Sequence, residues 1–208
     1  MTDDQGTKLA QQEENAFMGL KTFIEKICPI SDYDWQQVKE NAHYQTFSKH
    51  EILLNANNLS GKLWFIYNGV VRNVYLTAEG KEFNKSFILG PSFSGSMTEI
   101  ITGQASRFSI EVLEDTATII IPIKWFNQMS QSNTTFSLVA LALSQQLAFK
   151  KEQREAAFLL DDASCRYQSF ILEYPSIEDR IPAYHIASYL GITEVALSRI
   201  KRKLRLKY

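Results

Sequence analysis

The spacing of apolar and polar positions changes character twice along the chain. In "FMGLKTFIEKIC" the residues Phe17, Leu20, Phe23, Ile24 and Ile27 fall at helical intervals, and Pro29 stops the pattern. "SDYDWQQVKENA" follows, with Ser31 or Asp32 as N-cap and acids in the first turn, so two short helices open the fold. From Tyr44 to Ile123 the chain becomes short runs of Phe, Ile, Val and Tyr, punctuated by "NANNLSG", "NG", "EGK", "LGPS" and "TGQ". "KLWFIYNGVVRNVYLTAEGKEFNKSFIL" reads as strand, turn at Asn68-Gly69, strand, turn at Glu79-Gly80, strand. About eight such strands predict a small antiparallel barrel or roll whose strands pair locally into successive hairpins.

Beyond Pro122 the period is helical again. "TTFSLVALALSQQLAFKKEQREAAFLLDD" carries Phe136, Val139, Leu143 and Leu147 at intervals of three and four. With few turn formers it predicts a helix of about 24 residues, roughly 36 Å long. "DDASCRYQSFILEYP" reads as a further capped helix ending before Pro175. Pro182 then opens a short helix through "AYHIASYL", Gly191 interrupts it, and "TEVALSRIKRKL" restarts with Thr193 as N-cap.

Composition narrows the class. A chain of 208 residues with 45% hydrophobic and 22% charged residues can bury a core as one large or two small domains without disulfides or metals. Its two cysteines, Cys28 and Cys165, match no metal-ligand or redox spacing, which points to a reducing setting. "MTDDQGTKLAQQEENAF" lacks the features of a secretory signal, and no apolar stretch is long enough to span a bilayer; the expectation is a soluble, cytoplasmic protein with no membrane partner. The net charge of −1 conceals an asymmetry. The start leans acidic, whereas Arg199, Lys201, Arg202, Lys203, Arg205 and Lys207 close the chain without an acid among them.

The last two helices form a helix-turn-helix by pattern. Ala187 is small where the helices cross, and Gly191 sits where the turn needs positive φ. Ile186, Leu190, Ile192, Leu197 and Ile200 fall at the offsets that seat the second helix on the first. An ordinary αα-hairpin shares the apolar spacing. What separates the two is the outward face of Thr193, Glu194, Val195, Ser198, Arg199, Arg202 and Lys203, whose hydroxyls and cations suit phosphates and base edges.

The order of roll, long helix and terminal helix-turn-helix, with "IASYLGITEVALSRIKRKL" at its end, resembles the Crp/Fnr family of bacterial transcription regulators. "RYQSFILEYPSIEDRIPAYHIASYLGIT" is especially similar to the branch common in Bacteroidetes-type genomes, and "KLWFIYNGVVRNVYLTAEGKEF" resembles the family's cyclic-nucleotide-binding fold, with Gly69 and Gly80 at its turns. The resemblance runs from about Phe17 to Leu204. Residues 1–15 read as a flexible arm; beyond them the resemblance implies an α+β chain, with a β-roll sensor flanked by helices over 16–131, a long dimerisation helix over 132–158, and a helical, winged-helix-like DNA-binding domain over 159–208.

Phe136, Val139, Leu143 and Leu147 would then form a homodimer interface, and the partners implied are a near-palindromic double-stranded operator, a second copy and RNA polymerase. Thr193 would cap the recognition helix and bond a phosphate, Ser198 would touch backbone or base edge, and Arg199 would reach a guanine. At Val195 many relatives carry a glutamate; here the glutamate is Glu194, about 100° away around the helix, and Val195 is left to meet a thymine methyl.

Family members that take a cyclic nucleotide hold the ribose with a glutamate after a glycine and the phosphate with an Arg-Ser pair. In "LGPSFSGSMTEII" that glycine is Gly95 and the glutamate is replaced by Ser96, while the pair is reversed as Ser106-Arg107. A one-residue slip on a strand changes faces. Cyclic AMP is therefore not expected as effector, and no cofactor is assigned, with any other small-molecule effector left open. Two cysteines cannot build a four-thiolate cluster, and His43, His50 and His185 are scattered. No phosphate-binding loop, H-E-x-x-H or G-x-S-x-G marks an enzyme. The alternative to a DNA-binding regulator is a ligand-sensing or protein-interaction module whose terminal helices dock onto a partner.

Overall fold

The computed structural model describes residues 2–205. Helix α1 spans Thr2–Glu25, so the segment expected as a flexible arm is helical and the helix expected from Phe17 begins much earlier. Within it the run KLAQQEENA, residues 8–16, is dominated by strong helix formers, and Gln11 Nε2 donates to Asn15 Oδ1 at 3.2 Å one turn on. Only the second half carries the stripe that enters the core, through Ala16, Leu20 and Ile24. Helix α2, Asp32–Asn41, is capped by Ser31, whose hydroxyl accepts from Asp34 N at 3.1 Å.

Eight strands follow: β1 His43–Phe47, β2 Ile52–Leu54, β3 Lys62–Asn68, β4 Val70–Leu76, β5 Glu82–Leu89, β6 Ser92–Ser94, β7 Ser109–Val112 and β8 Thr116–Pro122, with helix α3, Met97–Thr102, between β6 and β7. They form two antiparallel four-stranded sheets, ordered β1-β8-β3-β6 and β2-β7-β4-β5. Successive hairpins were the expectation, and β4 with β5 is the only pair of consecutive strands that meets it among the described residues. The Asn68-Gly69 turn instead carries the chain from one sheet to the other. β3 and β4 are central strands, buried over Leu63–Ile66 and Val70–Val74, and each needs two flanking partners that its sequence neighbour alone cannot supply. Gly69 adopts φ 106°, and a Cβ there would meet Thr116 Cα at 2.8 Å, so the crossing requires glycine.

Three helices complete this part and lead away from it: α4 Ile123–Ser132, α5 Thr134–Leu160 and α6 Ala163–Glu173. Asn133 caps α5 and Asp162 caps α6, each with its side chain accepting two backbone N–H groups. A single 3-10 turn at Ile177–Asp179 precedes α7, Ala183–Leu190, and α8, Glu194–Arg205. Among the described residues this terminal part is entirely helical, and no strand forms a wing.

The core has three apolar clusters. One gathers α1, α2, α4 and the start of α5 against the β1-β8-β3-β6 sheet, and one fills the roll around Trp64, Ile66, Val71, Phe108 and Ile110. The third joins Val70, Phe87 and Leu113 of the roll to Tyr167, Phe170, Tyr174, Ile186, Leu190 and Leu197. The helix-turn-helix part is thus packed onto the roll by a continuous apolar seam.

Candidate nucleic-acid interface

The turn between α7 and α8 is built by backbone hydrogen bonding. Gly191 N donates to Ser188 O at 3.3 Å and Ile192 N donates to Ala187 O at 3.0 Å, the paired bonds of a Schellman C-cap. Gly191 holds φ 69°, and a Cβ would lie 2.9 Å from Phe158 Cε1. Thr193 then caps α8, its Oγ1 accepting from Ala196 N at 3.2 Å. Ile186, Ala187, Leu190 and Leu197 are buried, and Ile192, Ile200 and Leu204 pack against them. Every apolar seat expected from the spacing is filled.

The opposite face is free. Thr193, Glu194, Val195, Ser198, Arg199, Arg202 and Lys203 are all exposed, with Val195 at 60%. Lys201 is the basic residue turned away: it pairs with Glu178 and lies over the Tyr167 ring. Asp162, at the start of α6, is held below the usual carboxylate range by backbone N–H bonds from Cys165 and Ser164, with a smaller effect of Lys203. The side chain of Arg205, and Lys207 altogether, lie outside the described residues.

The stripe expected to pair across a dimer is only partly available. Phe136 and Val139 are buried in this chain's own core, where Phe136 stacks edge-on against Trp125 at 5.4 Å, and Leu143 packs against the same cluster. Leu147 is half-buried. The first turns of α5 must cover the roll and α4, so the periodic face points inward. The large apolar side chains that α5 leaves exposed are Leu138, Leu141, Phe149, Phe158, Leu159 and Leu160. A groove of about 530 Å³ runs beside Phe149 along the later half of α5, bounded by Phe158, Leu160, Phe170 and Tyr189.

Of the four residues expected at an effector pocket, Ser96 and Ser106 are buried and Arg107 is exposed. Ser96 has no exposed surface and caps α3, accepting from Glu99 N at 3.3 Å. A Cβ at Gly95 would lie 3.0 Å from Leu63 Cδ1. Ser106, equally buried, closes its own turn by donating to Phe108 O at 2.8 Å and accepting from Phe108 N at 3.2 Å. Arg107 is exposed. The acid that is buried here is Glu99, whose carboxylate accepts from Ser60 N at 2.8 Å and Ser60 Oγ at 2.9 Å, fixing the loop before β3. Inside the roll Trp64 Nε1 is buried without a hydrogen-bond partner. Among the described residues no group of His, Cys, Asp and Glu could hold a metal ion, and no helix is long and apolar enough to cross a membrane.

A polar bridge crosses the seam between the roll and α7. Arg72, buried on β4, donates to Glu111 from Nε at 2.8 Å, to Glu82 at 2.6 Å and to Asn84 Oδ1 at 3.0 Å. Its Nη1 also lies 3.2 Å from Nδ1 of His185 on α7. Asn84 Nδ2 donates to His185 O at 2.9 Å, and Asn84 N to Ser188 Oγ at 3.0 Å. From α5, Arg154 donates to Tyr189 O at 2.9 Å. Burial, then the neighbouring Arg72 charge, lowers the His185 pKa to about 4, so the ring is neutral and can accept from Arg72. The signals that could have found the bridge were an arginine inside a mostly apolar strand and a histidine on the apolar side of α7.

These features define a class: a β-roll joined by a long helix to a helix-turn-helix with a solvent-facing second helix. Solved bacterial transcription regulators of the Crp/Fnr type share this fold. FixK2 from Bradyrhizobium japonicum matches with a TM-score of 0.71 at 18% identity, over 80% of this chain and 85% of that one. A Crp/Fnr-family regulator from Eubacterium rectale matches with a TM-score of 0.68 at 21% identity, over 86% and 85% of the two chains. The c-di-GMP responsive global regulator CLP of Xanthomonas campestris matches with a TM-score of 0.64 at 13% identity, over 83% and 92%. No protein-family model and no curated protein matches the sequence.

Proposed function

We propose that this protein is a sequence-specific DNA-binding transcription regulator of the Crp/Fnr type that acts as a homodimer. The observation that carries the reading is the α8 face: the seven residues whose chemistry suits DNA are the exposed ones, while the apolar seats behind them are buried. Arg199 is suited to bond guanine O6 and N7 together, Arg202 and Lys203 to neutralise phosphates, and Val195 to meet a thymine methyl. Two copies related by a two-fold axis would address successive major grooves about 34 Å apart. Selection of bound duplexes from a random pool should return a near-palindromic site, and affinity for it should fall steeply with salt. Recovery of no site preferred over random DNA would refute sequence-specific regulation and favour the interaction-module alternative.

The sensor part is proposed not to take cyclic AMP in the family's usual way. Ser96 and Ser106 spend their hydroxyls on a cap and a turn, and Arg107 stands in solvent. Calorimetric titration with cyclic AMP should show no saturable heat in the micromolar range, and a saturable isotherm there would overturn this part.

A further inference from the structure

The last four carbonyls of a helix have no partner within it, and those of α7 belong to Ala187, Ser188, Tyr189 and Leu190. The turn's own N–H groups, of Ile192 and Gly191, take the first two. The other two are taken by arginines from outside α7: Arg154 on α5 donates to Tyr189 O at 2.9 Å, and Arg166 on α6 donates from Nε to Leu190 O at 3.3 Å. Cations suit this end of a helix, where the dipole is negative. Each guanidinium is anchored a second time, Arg154 on Asn84 O of β5 at 3.4 Å and Arg166 on Asp161 O, just past the end of α5, at 2.7 Å. Both lie over the ring of Phe158, 4.8 and 5.0 Å from its centre, and Arg154 also lies over the Tyr189 ring at 3.8 Å. Phe158 in turn stands against the turn, where a Cβ on Gly191 would meet its Cε1 at 2.9 Å. Among the described residues neither arginine forms an ion pair with a carboxylate.

We propose that Arg154 and Arg166, ordered by Phe158, are positioning residues for α8 and set the half-site spacing that the proposed dimer accepts. This rests on the reading of α8 as the recognition helix of a homodimeric regulator. Side chains of α5 and α6 close on the point from which α8 departs, since Leu190 is followed only by Gly191 and Ile192 before Thr193, the cap of α8. Helix α8 has 12 residues and is about 18 Å long, so a tilt of about 10° at the turn moves its far end by about 3 Å, close to the rise of one base pair. An apolar contact alone permits such a tilt by sliding. A planar guanidinium bonded to two carbonyls fixes direction as well as distance, and two of them on adjacent carbonyls resist rotation about either one. Three side chains outside α8 thereby contribute to which operators are bound.

The test uses the full chain. With Cys165→Ser removing the exposed thiol, nitroxides on Gln145→Cys of α5 and Ser198→Cys of α8, both exposed positions, report their separation by pulsed dipolar electron spin resonance. The labelled chain is diluted into unlabelled chain so that only distances within one copy are read. The distribution should be narrow, and Arg154→Met combined with Arg166→Met should broaden it with helix content unchanged. Phe158→Leu, at an exposed position, should broaden it less and tests the same point if the double variant fails to fold. On operators whose half-sites are moved apart or together by single base pairs, the parent chain should prefer one spacing by about tenfold or more, and the variants should lose most of that preference while binding a single half-site within about twofold of the parent. Unchanged distances in the variants would overturn the positioning role, as would equal losses on single and paired half-sites, which mark a contribution to stability alone. The distance readout involves no DNA, so the two failures are separable: a parent chain without sequence preference removes the regulator reading and the spacing role with it, whereas sequence preference with distances unchanged in the variants removes the clamp alone.

Discussion

Arg199 projects from α8 into solvent and, among the described residues, makes no ion pair, so its fork is uncommitted. Lys203, one turn on, is equally exposed but is a point charge on a flexible stem. Arg199→Ala should cost about 1–3 kcal/mol on the selected site and relax its sequence preference, whereas Lys203→Ala should weaken all duplexes alike and reduce the salt slope by about one. Competition gel shifts over a salt series check this, and equal effects of the two variants on all sequences would reject the division of roles. His185 carries the second prediction at this scale. Its pKa falls from 6.5 to about 4 in the folded chain, so folding is most favourable above about pH 6.5, and that contribution is lost as pH drops toward 4 because the unfolded chain takes up the proton first. Denaturant midpoints measured across this window should fall with pH, and His185→Gln should flatten the dependence by up to one proton. An unchanged slope in the variant would place the titration elsewhere. The exposed residues of α8 were legible because exposure there follows from helical period alone; the role of His185 was not, since its partner Arg72 is 113 positions away in the chain.

At the scale of elements, the α7-α8 turn depends on one residue. Replacing Gly191 with alanine forces a Cβ into left-handed backbone and against Phe158 at 2.9 Å. The expected loss is about 1–2 kcal/mol from the backbone alone, with the side-chain contact adding to it. Thermal unfolding of the variant should show it, and an unchanged midpoint would mean that the turn relaxes without cost. The strands teach the opposite lesson. Their number and positions followed from composition and turn formers, but their pairing did not. A tight turn such as Asn68-Gly69 is equally compatible with a hairpin and with a crossing between sheets; the close approach of Thr116 at that corner belongs to the crossing. Helix α1 shows a third case, in which high helix propensity extended a helix beyond the residues whose apolar stripe announced it.

For the whole molecule, the proposed homodimer would pack on apolar side chains that α5 leaves exposed. Leu141 and Phe149 are 53% and 64% exposed, unlike the buried Phe136 and Val139. Leu141→Lys combined with Phe149→Lys should shift the protein toward monomer in sedimentation equilibrium and abolish cooperative binding to a two-half-site operator, with helix content unchanged. A dimer of undiminished affinity would show that another face mediates assembly. The sequence by itself determined the helix-turn-helix, its cap, its turn glycine and the residues on its outer face, because helical period, capping and positive φ act over a few neighbouring positions. Only the tertiary structure decided which side of α5 is covered, how the strands sort into two sheets, and that Arg72, Glu111, Asn84 and His185 meet across the seam. Those outcomes depend on which distant surfaces bury one another, and burial is a property of the folded chain that no local pattern records.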